Sequence, residues 1–149
     1  METETAEKSN FQEIPDRKIY SQKAIRVGTF LGGPFVSAYF LTENFKTFND
    51  FDKVNKTWLI TIITAVFTFT IASLIPEDIN FPNIIFPLIY MMIAGYFTKK
   101  YQEKDINEHL KNGGEEFGWA RTIGISILAL IPTFVFLFTL VFIISLLKV

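Results

Sequence analysis

Three long stretches of this chain, residues 59–75, 79–98 and 122–147, contain no Asp, Glu, Lys or Arg. A soluble fold of 149 residues would expose several of those positions to water, where charge is expected. Runs of this length instead match the ~20 residues that carry a helix across a hydrocarbon core of ~30 Å. Backbone groups in that medium must bond to one another, and in apolar runs of this kind the α-helix achieves it. The expected fold is therefore an all-α integral membrane protein, a single membrane domain over residues 1–149.

The expected organisation is a polar tail at 1–23, a broken apolar segment at 24–42, an amphipathic connector at 43–57, spans at 58–75, 79–98 and 120–147, and a cytoplasmic helix and loop at 99–118. Pro76 stops the first span, and the short link to the second predicts a tight antiparallel hairpin. The last run has 26 charge-free residues, about 39 Å of helix; it predicts tilt or a kink at Pro132. A secretory signal needs a basic start and an early apolar core. The first 23 residues carry five acids against four bases and no such core, so insertion is expected to depend on an internal segment.

The segment at 24–42 is the ambiguous one. Its apolar run from Val27 to Leu41 has 15 residues and contains Gly32-Gly33-Pro34. Pro34 removes a backbone donor and breaks a helix interior. The segment is expected to be re-entrant or interfacial, or else a kinked fourth span. With four spans, Lys and Arg divide 6 against 8 across the membrane; with a re-entrant segment they divide 13 against 1. The positive-inside rule prefers the second arrangement, three full spans with a cytoplasmic N-terminus. Trp58, Tyr96, Tyr101 and Trp119 then share one interface, where amphipathic rings are favoured.

Gly28, Gly32, Gly33 and Ser37 place small residues on one helical face, suited to close helix packing or to a partner. Arg26, Phe45, Phe48, Phe51, Trp58 and Trp119 are interfacial candidates, the Phe stripe lying beside Lys46, Lys53 and Lys56. His109, with Glu108, Glu115 and Glu116 nearby, is expected on a solvated helix face rather than in a metal site, because a lone His without ligand spacing is a weak signal. Zero Cys excludes thiolate chemistry and disulfides, and a net charge of −1 argues against nucleic acid. Buried ionisable groups, which mark proton relays and intramembrane enzymes, are missing from the later apolar segments. No catalytic residue, cofactor or metal is expected.

Tyr20-Ser21, Thr29-Phe30-Leu31-Gly32-Gly33-Pro34 and Asn44-Phe45-Lys46 resemble the opening of an uncharacterised family of small bacterial multi-pass membrane proteins. Ile75-Pro76-Glu77, Pro87-Leu88-Ile89-Tyr90, Tyr101-Gln102, Glu108-His109 and Gly113-Gly114 extend the likeness over roughly residues 19–124. The chain departs from the pattern at Gln22, where Pro is frequent, and at Phe48-Asn49, where Leu-Gly is usual. The resemblance implies the bacterial plasma membrane and no particular mechanism. The leading expectation is a non-catalytic subunit or accessory of a larger membrane assembly, contacting lipid and other membrane proteins or its own copies. A lipid-interacting or membrane-shaping protein, or an uncoupled channel formed by oligomerisation, are the alternatives.

Overall fold

A computed structural model describes residues 16–76 and 82–147. Within them lie seven helical segments: α1 (Gln22–Gly32), α2 (Pro34–Thr47), α3 (Phe51–Leu74), α4 (Ile85–Tyr101), α5 (Glu103–Lys111), α6 (Trp119–Leu128) and α7 (Leu130–Leu147). The class is all-α. Most of the polar tail expected at 1–23, residues 1–15, lies outside the described residues, as does part of the link between α3 and α4.

Ser21 opens α1 as its N-cap, its backbone extended and its hydroxyl accepting the Ala24 N–H at 3.3 Å. The helix ends at the expected break. Gly33 has φ of +78°, a left-handed value that glycine tolerates, and Pro34 takes the first position of α2, where its missing N–H has no partner to lose. The two helices fold back on each other. Tyr20, just before α1, stacks on Phe40 of α2 with ring centroids 4.0 Å apart, and a Cβ at Gly28 would meet the same ring at 2.3 Å. Neither arm reaches across a bilayer, since 11 and 14 residues give about 16 and 21 Å. At the hairpin tip the Thr133 hydroxyl reaches the Gly32 carbonyl at 3.2 Å, so α7 covers a backbone acceptor freed by the break.

The connector expected at 43–57 is not a separate element. Asn49 adopts φ of +59° and turns the chain, and α3 starts at Phe51 and runs unbroken to Leu74. Residues 45–56 are thus divided between the end of α2 and the start of α3. Among the described residues α3 and α4 are also not paired as a tight hairpin: α3 packs on α2, α4 packs on α1, and α3 and α4 make few close backbone approaches. Packing small residues explains the second pairing, because Gly95 and Ala94 let α1 approach α4 closely.

Two helical stretches are long and apolar enough to cross a membrane, α3 and the combined α6–α7 (Trp119–Leu146, 28 residues). Their Leu, Ile, Val and Phe side chains face outward: Phe67, Leu74, Phe134, Phe138 and Phe142 are all exposed. Such surfaces are stable where the surroundings are apolar. The 17 residues of α4, about 25 Å, fall short of the same length, so the third full span expected at 79–98 does not meet that measure. The interruption expected at Pro132 falls at Ala129, between α6 and α7. Pro132 cannot donate to the Leu128 carbonyl one turn back; Thr133 and Ala129 carry the ladder past it through N–H bonds to Ala129 and Ile125.

Candidate functional site

At one end of the bundle a polar clasp ties four parts of the chain together. The Asn44 side chain on α2 accepts the Tyr20 N–H at 2.7 Å and donates to the Tyr20 carbonyl at 2.8 Å. It also donates to Gln102 Oε1 at 3.1 Å, and Gln102 Nε2 donates to the Leu41 carbonyl at 2.8 Å. Gln102 interrupts the helix between α4 and α5. Residues 16–20 add an extended strap, with Ile19 N–H bonded to the Glu115 carbonyl at 3.0 Å and Phe117 N–H to the Ile19 carbonyl at 2.8 Å. Ile19 and Tyr20 are 0% exposed, so this part of the expected tail is core. The Arg121 guanidinium lies 4.3 Å from the Phe117 ring centre and its Nε donates to the Tyr20 hydroxyl at 3.2 Å. Burial raises the Tyr20 pKa above its ordinary value, the Arg121 hydrogen bond offsetting part of the rise. Lys18 bonds to the Glu115 carboxylate and lowers its pKa.

Beyond the clasp, α2, α3 and α4 enclose a cleft of about 300 Å³. Each helix contributes one stripe. Pro34, Ser37, Leu41 and Phe45 of α2 form the floor; Lys53, Thr57, Ile60 and Thr64 lie along the α3 wall; Tyr90, Ala94, Phe97 and Tyr101 lie along the α4 wall. These spacings of three, four and seven residues are those of one helical face. Each stripe covers twelve residues of helix, eleven rises or about 16 Å. α3 and α4 make few close backbone approaches, and the cleft occupies the space between them, with the Phe69 and Tyr90 rings meeting across it at the far end.

The two ends of the cleft differ chemically. At the clasp end, Lys53 pairs with Asp50 and lies 5.4 Å from the Phe45 ring centre. Lys56 lies one turn farther along α3 and has no ion-pair partner among the described residues. Lys100 lies 5.3 Å from the ring centre of Tyr101, which lines the same mouth. At the far end are Thr64, Pro34 and Tyr90, backed by Phe69, whose ring centre is 6.4 Å from that of Tyr90. Tyr90 is 5% exposed and its hydroxyl makes no hydrogen bond of good geometry. Within the cleft no carboxylate lines the wall.

The sequence candidates scatter between these features. Gly28 and Gly32 lie under Phe40 and the Ser126 backbone of the same chain, so their face is occupied internally and is not free for a partner. Gly33 sits at the hairpin tip, 3.4 Å from Thr133 by its would-be Cβ. Pro34, Ser37 and Phe45 come together in the cleft floor. Arg26 is exposed and its side chain crosses α4 at Gly95. The Phe stripe separates: Phe45 is buried, Phe48 is half-buried beside His109, and Phe51 is 59% exposed. Trp58 is half-exposed, and exposed Trp119 has the Lys23 ammonium 5.8 Å from its ring centre.

His109 is not on a solvated face. It is 6% exposed, edge-on to Phe48 and flush with Gly114. Gly113, with φ of +82°, turns the chain back over α5 and closes this pocket on the ring. Among the described residues no three His, Asp or Glu gather as a metal site.

The residues missed from sequence were Lys53, Lys56 and the Thr57, Thr61 and Thr64 row as one face, and Tyr90, Phe97 and Tyr101 as another. Their helical spacing was present, but only the three-helix arrangement shows that the faces converge. Comparison with family models, with characterised proteins and with solved structures finds no match to this chain.

Proposed function

We propose that this is a non-catalytic membrane protein that works on the bilayer itself, by holding a lipid chain in the cleft between α2, α3 and α4. The observation that carries this reading is the cleft: a largely apolar trough on a molecule whose α3 and α7 surfaces are apolar. Its length of about 16 Å equals roughly half of a ~30 Å hydrocarbon core, the depth of one leaflet. In the proposed arrangement α3, α4 and α6–α7 cross the membrane and the α1–α2 hairpin enters from the cytoplasmic side and returns. The clasp, the lysine mouth and α5 then face the cytoplasm, in keeping with the positive-inside rule. The resemblance of the Gly-Gly-Pro region to small bacterial proteins supports the bacterial inner membrane as the location.

Mass spectrometry of the intact protein released from mild detergent tests the reading. The wild type should retain a lipid. Thr61→Trp, which fills the cleft, should lose it, and Ile63→Trp on the exposed side of α3 should keep it. A wild type without lipid, or Thr61→Trp retaining as much as the wild type, would refute the proposal.

A second reading, accessory subunit of a larger assembly, is favoured by α7, whose outer surface has little contact with the rest of the chain. Its docking face cannot be the Gly28–Gly32 face. Tagged purification after mild extraction should then enrich one partner in stoichiometric amount, and Phe138→Ala with Phe142→Ala should release it.

A further inference from the structure

The cleft is not chemically neutral along its length, and this difference names its ligand. Resting on the reading of the cleft as a lipid site, we propose that it selects an anionic phospholipid, with the phosphate at the Lys53–Lys56 mouth and one acyl chain in the trough.

Four observations support this. First, the mouth carries cations and the walls carry no carboxylate. Asp50 is already engaged by Lys53, whereas Lys56 has no ion-pair partner among the described residues and Lys100 rests against Tyr101. A second negative group brought to this place completes the pairing instead of competing for it. Secondly, Thr57 and Thr61 follow the lysines by one and two helical turns on the α3 wall. Thr57 already donates its hydroxyl to the Lys53 carbonyl at 2.7 Å, which leaves the Thr61 hydroxyl to donate to an ester oxygen of a seated lipid. Thirdly, Leu41, Ile60, Ile93 and Phe97 make the stretch beyond them apolar, which suits a chain and excludes a polar metabolite. Fourthly, about 300 Å³ is at the small end of ligand sites, which run to ~1,000 Å³. It fits one chain, and the second chain of a membrane lipid would remain outside the trough.

The experiment uses the full chain, stripped of lipid in detergent and then equilibrated with equimolar phosphatidylglycerol and phosphatidylcholine of the same acyl chains. Bound lipid is counted by mass spectrometry of the intact protein. Lys56, the mouth lysine without an ion-pair partner among the described residues, should give phosphatidylglycerol a roughly five-fold preference at low salt, shrinking as salt screens the mouth. Lys53→Gln/Lys56→Gln should bring the ratio near one; both positions are partly or fully exposed, so folding is spared. Lys104→Gln, on exposed α5 away from the cleft, should keep the preference. Lipid bound without charge preference, or a preference that survives the double substitution, overturns the inference and leaves the cleft as a lipid site. Oleate displacing phosphatidylglycerol at equal mole fraction overturns the phospholipid assignment. No lipid bound at all overturns the underlying reading.

Discussion

Replacing Asn44 by Ala removes the centre of the clasp, and its cost can be worked from the contacts. Asn44 makes three hydrogen bonds, at 2.7, 2.8 and 3.1 Å, all buried. The substitution leaves the Tyr20 N–H, the Tyr20 carbonyl and Gln102 Oε1 without those partners. Each buried polar group deprived of its partner costs ~1–3 kcal/mol, so the three together cost at least about 3 kcal/mol. The chain has a cheaper response than global unfolding: the strap at 16–20 can peel away and hydrate the freed groups. Local opening of the strap should therefore become about a hundred-fold more frequent. The absence of native Cys makes this measurable. A cysteine at Ile19→Cys, fully buried in the wild type, should react with a maleimide about a hundred-fold faster in the Asn44→Ala background. Rates that agree within a factor of three would show that the clasp does not hold the strap. A control at Lys18→Cys, already exposed, should react at the same rate in both backgrounds.

Further outcomes follow from the packing and the charges. A Cβ at Gly32 would fall 2.4 Å from the Ser126 carbonyl oxygen, so Gly32→Ala must push α1 off α6 and should lower the thermal midpoint by several degrees. Gly124→Ala meets nothing within 4 Å and should stabilise α6 by up to ~1 kcal/mol through helix propensity. Tyr20 keeps its proton more tightly in the folded state than the ordinary value of 10.0. Its contribution is complete below pH 10 and is lost as pH rises through the folded value; Tyr20→Phe should flatten that alkaline loss in a pH-dependent unfolding series. Single cysteines at Ser9, Asn55 and Asn112 should label from one side of the membrane and a cysteine at Asn83 from the other. Labelling of Asn55 from the face opposite Ser9 would exclude the re-entrant hairpin.

Runs without charge located α3 and α6–α7, because exclusion of ionisable side chains is a composition effect visible without partners. The Gly32-Gly33-Pro34 break was legible for the same reason: positive φ at Gly33 and the missing donor of Pro34 are local properties. The start of α3 was not. Phe51–Thr57 carries Asp52, Lys53 and Lys56, so hydropathy ends the span at Trp58 while the backbone hydrogen bonding continues seven residues earlier. The clasp was illegible for a different reason. Asn44 and Gln102 are 58 residues apart and neutral polar side chains stand out in no window of sequence. The burial of His109 likewise depends on Gly114 folding over it. Three helical stripes could be read one at a time, but their convergence into a cleft required knowing that α3 and α4 stand apart.

The strap has a consequence for the order of assembly. A ribosome delivers residues 16–47 early, yet Ile19 is held by Glu115 and Phe117, and Gly28 and Gly32 rest on Ser126. The hairpin thus waits for nearly a hundred further residues before its small face and its first peptide groups are covered. Folding cannot proceed from the N-terminus as a series of finished pieces. Until α6 arrives, the Gly32 side of α1 stays uncovered, and the last major insertion event is what covers it. Truncation before residue 119 should accordingly leave that side of α1 exposed even though every residue of α1 and α2 is present.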